Sequence, residues 1–289
     1  MNRKRANPII RRPNFPKCSL QFSILCILFT AALCCAIPSA WAEPVEVHHP
    51  EGTLHGFLAL TTLDGKSLAV GDLYQTVDGD RVTSHLVFHF KDGSLDDETT
   101  VFTQQGTFKL ISDHHVQKGP FFPTATDFSI DAASGEVVVK TSGKDGKENV
   151  KSQHMDMPAD LCNGLVTPVT KNINPESPET KVSMIVATPE PRLVTLAFSP
   201  LPTEPFSLAG ASRKALSYNI KFELGGLAGF VAPLIGKKPP DVQISILGGE
   251  LPTFVKEVGP TYAEGPILSI KLVSPVWPRS SRTVPHKGQ

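Results

Sequence analysis

Histidine and carboxylate side chains are the groups in this chain that could do chemistry, and their spacing narrows which chemistry. The 289 residues hold nine histidines. His48-His49 and His114-His115 are adjacent pairs, while His85 and His89 lie four residues apart. On a strand, four residues span about 13 Å, too far for two ligands of one ion. Adjacent strand residues point to opposite faces. Asp113-His114-His115, placed in a turn, could converge on a metal, yet the chain has no HExxH and no spaced His/Cys set. Asp96-Asp97-Glu98 invites a calcium reading, but the alternating acids, central glycine and distal glutamate of an EF-hand loop are absent. Gly210-Ala211-Ser212-Arg213-Lys214 lacks the second glycine of a nucleophile elbow. There is no phosphate-binding loop and no dinucleotide fingerprint. The residues therefore predict no cofactor and no resident metal, and they weigh against an enzyme. A spatially assembled triad leaves no such signature, so a metal-assisted hydrolase at Asp113, His114 and His115 stands as a third functional reading.

The amino terminus carries an address. Arg3, Lys4, Arg5, Arg11, Arg12 and Lys17 precede an apolar run from Leu20 to Ile37, which closes on Ala40-Trp41-Ala42. A basic start, an apolar centre and a small-x-small site predict a secretory signal cleaved after Ala42. The protein is expected in the periplasm or outside the cell. Pro38 and the cleavage site argue against an uncleaved anchor, so no stable transmembrane span is expected afterwards. The Arg11-Arg12 pair leaves the twin-arginine route open beside the general one.

Cleavage changes the charge. The whole chain has 28 basic and 28 acidic residues. Six of the basic ones and none of the acids lie before residue 43, leaving a mature net charge of −6. An acidic protein without a basic block is a poor nucleic-acid binder. Four of the five cysteines also lie in the signal, so Cys162 has no partner for an internal disulfide. Its apolar neighbours predict a buried hydrophobe. An exported domain without such staples depends on its core.

The mature chain reads as strand after strand. Leu54–Leu63, Leu68–Val77, Arg81–Phe90 and Leu95–Thr103 are separated by Asp64-Gly65, Asp78-Gly79 and Asp92-Gly93, which are hairpin signals. In the third run Val82, Ser84, Leu86, Phe88 and Phe90 fall on one face. Shorter runs follow at Phe108–Ser112, Phe128–Asp131, Glu136–Thr141 and Glu148–Met155. After a break come Lys181–Ala187, Arg192–Phe198, Arg213–Leu224, Val242–Leu247, Thr253–Val258 and Ile267–Leu272. Leu161, Leu165, Val169 and Ile173 form one apolar stripe, which predicts a helix near 158–173. The fold class expected is mainly β: a large curved antiparallel sheet, or half-barrel, with that helix packed on it. Residues 43–51 read as a loose leader, 43–273 as a single domain and 274–289 as a disordered tail.

Three stretches carry a resemblance: DGDRVTSHLVFHFKDGSLDDETTVF, MPADLCNGLVTPVTKNI and GGLAGFVAPLIGKKPPD. Together they resemble a family of uncharacterised exported bacterial β-rich proteins. In architecture the chain is also similar to periplasmic lipoprotein-localisation carriers, half-barrels that shelter lipid chains. No binding residue carries over from either.

These observations lead to an exported binding protein that holds a hydrophobic or amphipathic ligand, such as a lipid, inside a curved sheet. Leu86, Phe88 and Phe90 are the expected lining, with Phe230, Val231 and Leu234 as an apolar plug. The alternative is an envelope structural or assembly protein that binds a partner protein through a sheet edge.

Overall fold

The computed structural model of the chain describes residues 42–143, 146–187, 190–208, 211–223 and 240–274. Within them, fourteen strands make one sheet. The first half is a meander: β1 (Leu54–Thr62), β2 (Ser67–Asp78), β3 (Arg81–Phe90), β4 (Leu95–Thr103), β5 (Lys109–Lys118), β6 (Ala125–Asp131), β7 (Glu136–Ser142) and β8 (Glu148–His154). A short helix, α1 (Val166–Asn172), precedes the second meander. That comprises β9 (Thr180–Val186), β10 (Arg192–Leu208), β11 (Ala211–Glu223), β12 (Val242–Leu247), β13 (Thr253–Gly259) and β14 (Leu268–Val273). The Asp-Gly turns serve as expected: Gly79 has φ 61°, a left-handed conformation that tight hairpins require and glycine adopts freely.

The two meanders join where β1 pairs with β14, leaving β8 and β9 at the ends of the sheet order. Curvature then brings the halves together. Val82, Phe102 and Phe108 from the first half share one buried cluster with Leu196, Phe198, Ile220 and Ile244 from the second. The ends approach without pairing: Lys151 on β8 meets Glu190, just before β10, at 2.5 Å.

The edge of β9 is covered from within. Cys162 N–H donates to the Ser183 carbonyl at 2.9 Å, and Ser183 N–H donates to the Asp160 carbonyl at 3.3 Å. The Asn163 side chain donates to the Ile185 carbonyl (2.8 Å) and accepts from the Ile185 N–H (2.9 Å). An unpaired edge invites foreign strands, and this segment occupies it.

That pairing corrects the helix bounds. Only Val166–Asn172 is helical, not 158–173. Residues 160–162 commit their backbone to β9, and Gly164 then turns at φ 66° before the helix starts. The apolar stripe survives across the break, because Leu161, Leu165, Val169 and Ile173 are all buried.

The leader is tied down rather than loose. Val47 N–H donates to the Gly106 carbonyl at 2.9 Å, and the N–H groups of His48 and His49 both donate to Asn172 Oδ1 at 2.7 Å. β10 runs ten residues beyond the expected Phe198 despite Pro200, Pro202 and Pro205. Only Arg192–Phe198 pairs with β9, so the prolines fall where β10 has one neighbour, and the register slips between Leu201 and Glu204. Proline is tolerated at such edges and bulges because no ladder donor is needed there.

Candidate functional site

Strand alternation and register build the inner wall in rows. One row reads Leu73, Leu86, Glu98, His115, Phe128 and Val139 across β2 to β7. The row beside it reads Gly71, Phe88, Asp96 and Gln117. A third reads Gln75, Ser84, Thr100 and Asp113. The polar groups concentrate on two adjacent strands: Asp96, Glu98 and Thr100 on β4, and Asp113, His115 and Gln117 on β5. Their flanks are apolar. Gly71 permits the packing of Phe88, since a Cβ there would come within 2.5 Å of the Phe88 ring.

The rows border a partly open hollow of about 420 Å³. Leu58, Leu73, Leu86, Phe88, Phe254 and Ile270 supply much of its apolar wall. Asp96, Glu98, His115 and Glu257 supply an acidic one, while Val166, Thr167, Pro168 and Lys171 of α1 line it as well. Gly164 seats the turn before α1 on the polar stripe, because any Cβ there would overlap Thr100 Oγ1.

The stripe is internally bonded in part. His115 Nε2 lies 2.6 Å from Asp96 Oδ1, and Gln117 Nε2 donates to Asp96 Oδ2 at 3.0 Å. Thr100 Oγ1 donates to Asp113 Oδ1 at 2.9 Å. Burial by itself would lower the His115 pKa; the Asp96 hydrogen bond and the nearby charges of Glu98, Asp96 and Asp113 outweigh it and raise it to about 9. His115 is therefore an imidazolium at neutral pH, held against Asp96. Burial, with help from Glu98, pushes Asp113 up to about 8. Burial also raises Glu98 and lifts Glu257 to about 7. A second polar group lies beside α1: Lys171 forms an ion pair with Glu51, whose carboxylate also accepts from Gln75 Nε2 at 3.0 Å.

Leu86 and Phe88 line the hollow. Phe90 packs instead among aromatic rings at one end of the sheet, 4.6 Å from Phe121 and 5.4 Å from Phe122 between centroids, and Tyr262 closes that cluster. Phe230, Val231 and Leu234 lie outside the described residues. Asp113-His114-His115 is strand rather than turn, so the trio splits: His114 pairs with Asp127 on the outer face at 3.0 Å. Among the described residues, no group of three His, Cys, Asp or Glu is arranged to hold a metal ion. Asp97 likewise faces outward, 2.9 Å from His85 Nε2. Cys162 is buried, and that burial raises its thiol pKa. Reading each strand singly missed the inner stripe; Asp96-x-Glu98-x-Thr100 and Asp113-x-His115-x-Gln117 were its period-two signal.

Fold and hollow together define a mainly β, barrel-like protein built from one antiparallel sheet around an internal cavity. No protein-family model matches the chain. No curated protein matches it either. Among solved structures it is similar to a beta-barrel-like protein of the domain of unknown function DUF1849 from Brucella abortus, at 12% identity and a TM-score of 0.44, over 79% of this chain and 99% of that one.

Proposed function

We propose that the protein is an exported carrier that holds a hydrophobic or amphipathic ligand in the hollow of its sheet. The observation that carries this reading is the cavity of about 420 Å³, which the side chains of the described residues leave open and which is lined largely by apolar groups. Small-molecule sites typically run from about 300 to 1,000 Å³ with few polar groups among many apolar ones. The basic-apolar-small pattern ending at Ala42 supports export to the periplasm or beyond. The likeness to half-barrel lipoprotein-localisation carriers adds analogy of architecture only.

Strand addition by a partner protein is the second reading, and β8 is where it attaches. β8 has no neighbour on its outer side among the described residues and is largely exposed. Its charges at Glu148 and Lys151 are the kind that discourage edge pairing, so the hollow is the better-supported site.

Delipidated protein titrated with a fluorescent apolar probe tests the carrier. Saturable uptake near one probe per chain is expected, weakened by Leu86→Asp, which puts a charge in the apolar wall. Absence of uptake, together with no apolar molecule in mass spectra of protein made in its native compartment, overturns the reading.

A further inference from the structure

Among the described residues, the acidic and basic side chains lining the hollow do not balance. Its described lining contains four carboxylates, Glu51, Asp96, Glu98 and Glu257, against two basic side chains, Lys171 and His115. Both bases are already engaged: Lys171 with Glu51, and His115 with Asp96. Glu98 and Glu257 remain. Neither has a hydrogen-bond or ion-pair partner among the described residues, and both line the hollow half-buried.

Their positions suit one guest. In the sheet order β4 and β13 are separated by β3, β2, β1 and β14, yet Glu98 and Glu257 line the same cavity. Each has an apolar register neighbour lining the same cavity: Leu86 beside Glu98, and Ile270 beside Glu257. Thr261, also in the lining, has a buried hydroxyl without a partner among the described residues. Among the described residues, an anionic head entering here finds no unpaired cation. A cationic head finds two carboxylates, and buried charge is tolerated when it is paired.

We infer that the ligand is a cationic amphiphile, a protonated amine on an apolar chain, with Glu98 and Glu257 receiving the ammonium and Leu86, Phe88 and Ile270 the chain. The inference rests on the carrier reading and sharpens it. In the empty hollow the raised pKa values of Glu98 and Glu257 favour their neutral forms. An ammonium restores their charge, so binding expels protons. Asp96, His115 and the Glu51–Lys171 pair are the other titratable groups in the lining, with Asp113 beside them on β5, and the hydrogen bonds of Asp96, Asp113 and His115 and the ion pair of Glu51 with Lys171 are satisfied without the guest.

Displacement of the apolar fluorophore near neutral pH, below micellar concentrations, compares dodecylammonium, dodecanol and dodecanoate. Dodecylammonium should displace at about tenfold lower concentration than dodecanol, the ratio that one pKa unit of differential stabilisation produces. Dodecanoate should be weakest. In the doubly substituted E98Q/E257Q protein the ammonium should lose its advantage and displace at the same concentration as the alcohol. Equal binding of alcohol and ammonium by the unsubstituted protein, or a preference that survives the double substitution, overturns the head-group inference alone. Failure of all three amphiphiles overturns the carrier with it.

Discussion

Asp113 lies 2% exposed between Thr100 and the acidic wall, and its raised pKa has a thermodynamic consequence. The folded protein keeps this proton up to about pH 8, whereas the unfolded chain releases it near the ordinary value of 3.8. Across that window the native state binds more protons, so stability falls as pH rises. Glu257 acts in the same direction up to about 7, and His115 does so between 6.5 and about 9. Asp113→Asn keeps an oxygen for the Thr100 hydroxyl but removes the titration. Urea unfolding at several pH values should show a variant whose stability declines less steeply, by about 1.4 kcal/mol per pH unit between about pH 5 and pH 7. A variant with the parental slope would show that Asp113 is already ionised in the folded state.

The strands and the segment before α1 show how local pattern and tertiary pairing divide the work. Each apolar run expected from the sequence became a strand, because alternation and Asp-Gly turns are local properties. The helix was overextended because Leu161 belongs to the apolar stripe while its neighbours pair with β9, a contact no local signal announces. Asn163 fastens that contact through two hydrogen bonds to Ile185. Asn163→Ala would leave a buried N–H and a carbonyl unpaired, at a cost of about 2–3 kcal/mol. Amide exchange should then quicken along β9 while β1–β4 keep their protection; uniform loss across both regions would mean that the edge cover is not a separate device. Cys162 sits inside this cover, so its thiol should react with a thiol reagent only as rapidly as the segment opens.

The molecule as a whole is held by a core that spans both meanders. Phe102, fully buried, belongs to the first half but packs in the cluster that contains Leu196, Phe198 and Ile244. Phe102→Ala should cost about 3–5 kcal/mol. Because the cluster is shared, thermal unfolding followed by calorimetry and by circular dichroism should remain one transition, shifted to lower temperature. Two separated transitions would show that the meanders fold independently.

Residue order alone was enough for the strand-rich class, the hairpins and the inward face of β3, since all of these follow from spacing along a few neighbouring positions. It did not disclose the acidic wall. Asp96 and Glu98 lay in an expected strand with no facing row assigned, and Asp113 and His115 in an expected turn, until β5 proved to be a strand in register with β4. Glu257 joins them only because the sheet curves and β13 comes round to the same interior, more than 140 residues further along the chain. The open volume was likewise a tertiary outcome: whether side chains fill an enclosed space depends on the curvature of the whole sheet and on everything that projects inward from it, which no local window contains.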